Sequence, residues 1–492
     1  MIISGLIITG CFIGVVLLIM LEKLNRAIAA MIGALITYFT LIFIEHAEYS
    51  VIIDFLFGSS AEGFVNLHSL ILIMGMMFIV QICHDAGVFQ FIAVYVIKLA
   101  GGKPVKLLLT MCGLTVLLSA ILNNILTVII LIPLTIIISR ILNMNPTPYI
   151  LTQAVLVNIG GTMFPISSIP NILITSSQNI SFGEFFVNVG LISLIIFVIT
   201  LFFFFLVYGN KLESAEKENQ VLQEFNMWNY VQSKPLFYKS VVTLISVLTL
   251  LVVVPASIIP PDAIALSGAM ILLVISKMKK PEEIISKINL ELFLYLLGIF
   301  VISGGMEHVK IIELIGQGLG ALSGGDVYLT LITILWFSGF LSATIDNIPI
   351  TKVLIPVVNV INQGFNFTDS RFSYYCLAIG ANWGDNLTPM GDNILVMNIA
   401  EQNNRPLRFK DFLILGFVTT SIQLFAVTIY ISLIYKTIVG LVMIVGTALV
   451  IFAFYFYKRI KKKEIKQKNL RLERIKSRLK KITFRREKKN GS

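Results

Sequence analysis

Long apolar runs recur along the whole chain, and short polar segments interrupt them. A helix needs roughly 20 apolar residues to cross a bilayer, whereas a membrane-spanning strand shows strict alternation over about 10 residues. The runs lack this alternation, so they predict an all-α polytopic membrane protein with about eleven to thirteen crossings. The shorter runs are interpreted as re-entrant or broken helices. The predicted apolar segments are 2–21, 27–44, 68–83, 86–100, 106–122, 125–142, 150–165, 184–208, 239–257, 262–277, 291–306, 327–343, 348–362, 373–384, 411–435 and 438–457.

The two halves of the chain resemble each other at an almost constant spacing. Gly75 matches Gly298, and Asn124 matches Asn347, an offset of 223 residues in both cases. Glycine, serine, asparagine and proline take part in the matches, which general hydrophobicity does not explain. Internal repeats of this kind are typical of secondary transporters, whose site lies at the repeat interface. We expect two repeats that contain re-entrant or broken helices.

The repeats and the charged segments predict how the chain is organised. A polar loop divides it near the middle, and a basic stretch follows the last apolar run. The predicted parts are a first transporter repeat with N-terminal helices at 1–208, a polar linker at 209–238, a second transporter repeat at 239–435, an extra transmembrane helix at 436–457 and a basic cytoplasmic tail at 458–492.

Each half contains two polar islands within its apolar helices. Glycine and proline interrupt the helix there, and the freed backbone groups are tolerated in a membrane only where they line a buried or watery site. Asparagine, serine and threonine oxygens suit Na⁺, and helix N-terminal amides suit an anion. Helix packing explains a single such residue, but not two islands repeated in both halves. The candidate substrate-binding residues are Asn123, Asn124, Asn158, Gly160, Gly161, Thr162, Ser167, Ser168, Asn171, Asn347, Asn386, Thr388 and Asn393.

Among the polar islands, only those of the second half contain charged residues. A charge at the bilayer centre costs at least about 2.5–3.5 kcal/mol, which indicates a function. Asp346 and Asp392 are favoured for a proton or cation role. Lys352 has three interpretations: a fixed cation that replaces a coupling ion, a partner for an aspartate, or a side chain that extends towards the interface. The candidate ion-coupling residues are Asp346, Lys352, Asp385 and Asp392.

Composition limits the function classes. Of the 492 residues, 57% are hydrophobic and 13% are charged, against about 25% charged in soluble proteins. Four cysteines at scattered spacing argue against a disulfide framework and a metal cluster. Neither a nucleotide-binding glycine loop nor a catalytic triad pattern occurs, so nothing indicates an enzyme. Na⁺ or H⁺ as coupling ion is the expected requirement, with no cofactor and no metal beyond transient Na⁺.

The basic character of the chain belongs to its tail. Residues 458–489 hold 17 Lys and Arg against 3 Glu, whereas the net charge of the whole chain is +11. A basic block after a spanning helix marks the cytoplasmic side and attracts anionic lipid, so nucleic acid is not an expected partner. Apolar residues at three-, four- and seven-residue spacing would form one stripe on a basic helix, and a solvated extension is the alternative.

The motifs together resemble the ion transporter superfamily, specifically its citrate-transporter-like domain. The arsenical pump membrane protein, NhaD-type antiporter and P-protein branch is the most similar. The resemblance implies an inverted-repeat fold with re-entrant hairpins and unwound helices, and alternating access coupled to Na⁺ or H⁺. It covers about residues 5–435 and rests on Glu22–Arg26, Gly75–Met77, Leu118–Pro133, Asn158–Asn171, Ser342–Pro356 and Gly384–Asn393.

This chain departs from the usual pattern of that branch in its first half. Asn123-Asn124 replaces the usual Asp-Asn. Ser167-Ser168-Ile169-Pro170-Asn171 replaces the usual Gly-Asp-Pro-Pro-Asn. The first half has therefore lost both of its usual acids.

The leading hypothesis is a secondary transporter of a small inorganic or organic anion, coupled to Na⁺ or H⁺. A sodium/proton antiporter is the alternative within the same class. A membrane scaffold or receptor that no longer transports is the alternative from another class. The missing acidic residues of the first half and the long basic tail favour it. A passive channel suits the paired broken helices less well. Membrane lipid is an expected partner, and a homodimer stays open as an assembly.

Protease accessibility tests the predicted topology. The tail after Tyr457 should be cytoplasmic, because its basic residues oppose translocation. Lys23 and Arg26 would also be inside, which places the N-terminus outside. Protease added to intact cells should leave the tail uncut, and inside-out vesicles should lose it. Cleavage from outside would overturn this topology.

Overall fold

The computed structural model describes residues 2–21, 23–101, 103–209, 226–276, 281–365, 370–389 and 391–450. The described residues form helices and short turns without β-strands. The basic tail, with its predicted amphipathic helix, and most of the predicted linker lie outside the described residues. The predicted all-α fold class is confirmed.

Ten helices are described in the first half of the chain. The last of them contains a π-helical turn at Phe186–Gly190. They are α1 Ile2–Met20, α2 Arg26–Phe43, α3 Tyr49–Phe57, α4 Val65–Asp85, α5 Val88–Ala100, α6 Pro104–Ser119, α7 Asn124–Ile141, α8 Thr147–Thr162, α9 Ile169–Ser177 and α10 Phe182–Tyr208.

The second half continues the series in the same order. Its first helix begins inside the predicted linker. The described helices are α11 Lys234–Val253, α12 Pro261–Ser276, α13 Pro281–Ile285, α14 Leu290–His308, α15 Ile311–Leu322, α16 Val327–Ser342, α17 Asn347–Phe365, α18 Arg371–Gly384, α19 Asp392–Gln402, α20 Phe409–Tyr435 and α21 Thr437–Val450.

Apolar length agrees with a membrane location. Among the described residues, 8 helices are long and apolar enough to cross a bilayer, and shorter apolar helices accompany them. Five described helices, α3, α9, α13, α15 and α19, lie outside the predicted apolar segments. Helix α15 escapes a search for apolar runs because it is short and carries Glu313 and three glycines. Its buried face includes Ile312 and Gly316, while Leu314 is exposed.

The repeat seen in the sequence is also a repeat of helices. Helices α4 to α10 match α14 to α20 one by one, at the spacing of the sequence matches. A Cβ atom built on Gly75 of α4 would lie 2.7 Å from the Ala265 carbonyl carbon of α12. A Cβ atom on Gly298 of α14 would lie 2.7 Å from the Ala30 carbonyl carbon of α2. Each repeat therefore packs one helix tightly against an early helix of the other half.

Helix breaks occur at equivalent places in the two halves. Helices α6 and α7 are separated at residues 120–123, and α16 and α17 at residues 343–346. The Asn123 side chain caps α7 by accepting from the Leu126 amide at 2.8 Å. Asp346 Oδ1 accepts from the Ile348 amide of α17 at 3.2 Å. These caps satisfy backbone donors that a helix start leaves without partners.

The chain divides into two compact units, Met1–Val427 and Thr428–Ser492. All the helices that carry the polar islands lie in the first unit. Within the second unit, the chain turns at Lys436, and Ser432 Oγ lies 3.5 Å from Met443 Sδ.

The close packing at Gly75 and Gly298 predicts that the effect of a glycine-to-alanine substitution on stability depends strongly on its position. Gly298→Ala should lower the stability by about 1–3 kcal/mol, because its Cβ would press on the backbone of α2. Gly113→Ala in α6 is the control, since a Cβ there meets nothing within 4 Å. The control should be neutral or stabilising by up to about 1 kcal/mol. Thermal unfolding in detergent measures both, and equal midpoints would contradict this account of the crossing.

Candidate functional site

Asn158, in the last turn of α8, joins polar islands from both halves. It is buried, with 1% of its surface exposed. Its Oδ1 accepts from Asn124 Nδ2 at 2.6 Å. Its Nδ2 donates to Asn386 Oδ1 at 2.8 Å and to Asp385 Oδ2 at 3.3 Å. One amide thus connects residues that are more than two hundred positions apart.

Asn382 makes the corresponding link from the second half. Its Nδ2 donates to Asn171 Oδ1 at 2.8 Å, and its Oδ1 accepts from Ser168 Oγ at 2.5 Å. The three side chains are buried. Asn382 is not among the predicted site residues, although the sequence repeat pairs it with Asn158.

Two asparagines cap backbone carbonyls where the helices break. Asn171 Nδ2 donates to the carbonyls of Gly161 at 3.1 Å and Phe164 at 3.0 Å. Asn393 Nδ2 donates to the Asp385 carbonyl at 3.0 Å. An interrupted helix leaves such carbonyls without intrahelical partners, and burial makes an unmade hydrogen bond costly. The asparagines therefore stabilise both breaks in the same way.

A neighbouring helix packs closely beside the break in each repeat, α6 against α8 and α16 against α18. Ser119 Oγ of α6 donates to the Val157 carbonyl of α8 at 2.5 Å. Ser342 Oγ of α16 donates to the Ala381 carbonyl of α18, also at 2.5 Å. Gly160 lets α6 and α8 approach, because a Cβ there would lie 2.7 Å from the Val116 carbonyl oxygen. The two serines are further residues missing from the predicted site, although both lie in stretches that carry the family resemblance.

Several predicted residues shape the breaks through local contacts. A Cβ on Gly161 would lie 2.4 Å from Asn124 Oδ1, so this position has no room for a side chain. Thr162 Oγ1 donates to the Asn158 carbonyl at 2.6 Å, and Ser167 Oγ donates to the Gly161 carbonyl at 2.8 Å. Thr388 Oγ1 donates to the Ala343 carbonyl.

Two cavities lie against this network. The first, about 430 Å³, is called the acidic cavity, and the second, about 280 Å³, the amide cavity. The polar lining of the acidic cavity is Asn25, Arg26, Glu291, Tyr295, Ser342, Thr344, Asp346, Asp385 and Asn398. The polar lining of the amide cavity is Arg26, Gln81, Asn123, Asn124, Ser167, Ser168, Lys287, Asn289, Asp346 and Asn347.

Asp346 and Asp385 of the second half lie on the acidic cavity. Asp385 is 4% exposed, and its Oδ2 accepts from Asn158 as described above. Asp346 lines both cavities, and its Oδ2 accepts from Tyr295 Oη at 3.4 Å. Across the described ranges, no group of three or more His, Cys, Asp or Glu is placed to hold a metal ion.

Lys352, one of the predicted ion-coupling residues, is not brought to this network. Lys352 Nζ donates to Asn66 Oδ1 at 2.7 Å and lies 4.7 Å from the centroid of the Phe300 ring. It lines neither cavity. Asp392 begins α19, but its side chain lies outside the part of the chain that the structure describes.

Arg26, Glu291 and Tyr295 are cavity residues that the predicted site does not include. Their sequence signal is weak, because Arg26 and Glu291 lie at helix starts, where charged residues are common at a membrane interface. Arg26 falls within the stretch Glu22–Arg26 that carries the family resemblance. Only the cavities indicate that these side chains belong with the polar islands.

The position of Lys352 predicts a structural role. Lys352→Ile should lower stability by about 1–3 kcal/mol, because Asn66 Oδ1 loses a charged donor. Its effect on the Na⁺ or H⁺ dependence of transport should be negligible. Lys352→Arg is the control that keeps a donor. An altered cation dependence in Lys352→Ile alone would instead support the fixed-cation interpretation.

Comparison with known proteins supplies the family. Residues 16–372 match the citrate transporter family. A 46 kDa membrane protein of Mycobacterium leprae is 27% identical over 427 residues, covering 86% of this chain and 97% of that protein. The mouse P protein is 24% identical over 483 residues, covering 82% of this chain and 57% of that protein.

A solved structure supports the same fold. The crystal structure of the YdaH transporter of Alcanivorax borkumensis, which has an unusual topology, superposes with a TM-score of 0.52 at 12% identity. The superposition covers 74% of this chain and 84% of that chain. With its apolar helices and its matched family, this chain is a multi-pass membrane transporter. It belongs to the citrate transporter family, as its sequence motifs indicated.

Proposed function

We propose that this protein moves a small anion or oxyanion across the membrane by alternating access, coupled to Na⁺ or H⁺. The observation that carries the proposal is the set of helix starts around the amide cavity. The first residues of α7, α9 and α17 all line it, represented by Asn124, Ile169 and Asn347. Helix N-termini carry partial positive charge and amide donors, which favour an anion.

The start of α9 supports this assignment further. Ser168 occupies its N-cap position without making a side-chain capping bond. Its hydroxyl donates instead to Asn382, so the side chain that would cap α9 is committed to the opposite repeat. Pro170 follows in the first turn, and proline has no N–H donor. We expect the remaining amides of this turn to contribute to anion binding.

Asp346 and Asp385 are the proposed cation-coupling residues. Both line the acidic cavity, and Asp346 also reaches the amide cavity. A carboxylate there can bind Na⁺ or exchange a proton, and its charge would change the electrostatic potential at the neighbouring anion site. Asn123 and Gly161 occupy the equivalent positions of the first repeat. The proposed coupling therefore depends on the second repeat alone.

Two cavities beside the buried amides suit alternating access. Two sets of amide hydrogen bonds, Asn124–Asn158–Asn386 and Asn171–Asn382, close the region where the helix breaks meet. Relative motion of the repeats would change which cavity connects to the site, as in other transporters with broken helices.

A sodium/proton antiporter is the second candidate. Two aspartates on one cavity favour it, because a pair of nearby carboxylates can exchange Na⁺ for H⁺ without an anion. The helix starts around the amide cavity favour the anion transporter instead.

Transport in proteoliposomes separates these functions. Uptake of citrate, succinate, phosphate, sulfate and arsenate is measured with imposed Na⁺ or H⁺ gradients. Gradient-driven uptake of an anion is the expected result. Na⁺/H⁺ exchange without uptake of any of these anions would support the antiporter, and neither activity would support the non-transporting alternative.

Asp346→Asn should abolish the gradient dependence of uptake while the protein still folds. Asparagine is as good an N-cap as aspartate, so α17 should keep its start. Glu313→Gln on α15 is the matched control, because Glu313 lines neither cavity. Uptake is compared at equal amounts of reconstituted protein. Full coupling in Asp346→Asn would exclude Asp346 as the coupling residue.

A further inference from the structure

Arg26 occupies a position that the proposed transport site does not yet explain. It starts α2 and is the cationic residue that lines both the acidic and the amide cavity. Its Nε lies 3.1 Å from Glu291 Oε1, and its guanidinium carbon lies 5.8 Å from the centroid of the Tyr295 ring. The arginine side chain is 24% exposed. The guanidinium is therefore sheltered at the boundary between the two cavities.

The ion pair between Arg26 and Glu291 is exposed enough for another anion to replace the Glu291 carboxylate. The Glu291 side chain is 41% exposed and lines the acidic cavity, on one side of Arg26. A carboxylate that is this accessible to water is weakly held by its partner. Arginine remains charged at all physiological pH values, and its planar fork binds carboxylates and oxyanions through paired hydrogen bonds. An anion in the amide cavity would meet Arg26 from the other side.

A symmetry-related hydrogen bond, between His68 and Asp262, shows what distinguishes Arg26. His68 Nδ1 lies 2.8 Å from Asp262 Oδ2, which joins α4 to α12. His68 precedes the crossing glycine Gly75 by seven residues, as Glu291 precedes Gly298. Neither His68 nor Asp262 lines either cavity. A polar contact at this point in the fold can therefore form without an arginine and away from the cavities, unlike the contact between Arg26 and Glu291.

The charges on the two cavities also differ. The charged lining of the amide cavity is Arg26, Lys287 and Asp346. Lys287 is paired with Asp85, at 2.7 Å between Nζ and Oδ2. The acidic cavity has Arg26 beside three carboxylates, namely Glu291, Asp346 and Asp385. Arg26 therefore lies where the potential changes from one that favours an anion to one that favours a cation.

From this geometry we infer that Arg26 binds the anionic group of the transported substrate and that Glu291 is its internal counter-ion, which the substrate displaces. The inference rests on the proposed anion transport. In the empty site, Glu291 holds Arg26. A carboxylate or oxyanion that enters the amide cavity binds the guanidinium in place of Glu291. When this anion leaves, the ion pair between Arg26 and Glu291 forms again.

Tyr295 connects this exchange to the proposed cation site. Its ring contacts the guanidinium of Arg26, while its hydroxyl donates to Asp346 at 3.4 Å. Movement of Arg26 between Glu291 and the substrate would therefore alter the surroundings of Asp346. Tyr295 gives the anion and the coupling ion a short physical connection.

Opposite effects of two substitutions test the inference. Arg26→Gln should raise the KM for anion uptake by about tenfold or more, since a charge-assisted contact is lost. Glu291→Gln should lower that KM severalfold, because the substrate no longer competes with the Glu291 carboxylate. Arg26→Lys should give an intermediate KM, as lysine keeps the charge and loses the fork. Asp262→Asn, in the symmetry-related pair, is the matched control and should leave KM within about twofold.

Citrate and inorganic phosphate are measured in parallel, so that a shift with one alone distinguishes a carboxylate site from a phosphate-like oxyanion site. If Arg26→Gln fails to fold, Glu291→Gln decides: an unchanged or raised KM overturns the inference, since a structural ion pair would give no gain in affinity. Wild-type protein that takes up no anion would overturn the proposed function itself. Anion uptake with an unaltered KM in Glu291→Gln would overturn only the role of Arg26.

Discussion

The structure depends on satisfying backbone groups at four helix breaks within apolar surroundings. Neither lipid nor distant water can bond an exposed carbonyl there, so every freed group needs a partner from the protein. Asn171 and Asn393 supply that partner at equivalent carbonyls of the two repeats. Asn158 and Asn382 then tie each repeat to the other through side-chain amides. The groups that stabilise the breaks are thus the groups that assemble the site.

This constraint also explains the close packing around the site. The breaks can be linked only if their helices approach closely, and Gly160 and Gly384 permit that approach because a side chain would strike the neighbouring backbone. Gly75 and Gly298 act at longer range, where each repeat holds an early helix of the other half. The proposed alternating access would have to move these tightly packed helices together.

A nearly symmetric scaffold here carries an asymmetric set of charges. Asp346 and Asp385 lie in the second repeat, whereas Asn123 and Gly161 stand at the matched positions. The amides that build the network are shared by both repeats, so the loss of acids in the first repeat leaves the breaks intact. The proposed anion binding and cation coupling therefore fall on different parts of one candidate site, with Arg26 and Asp346 lining both cavities.

The sequence by itself determined the helical class, the repeat and the polar islands, because hydrophobic length and helix-breaking residues act locally. It also identified the family, through motifs such as Asn158–Asn171. Only the tertiary structure decided which island residues meet, because hydrogen bonds such as Asn158 to Asn386 join distant segments. It placed Lys352 beside Asn66 and brought Arg26 to the cavities. No local pattern specifies these positions, since the direction and reach of a side chain depend on how distant helices pack.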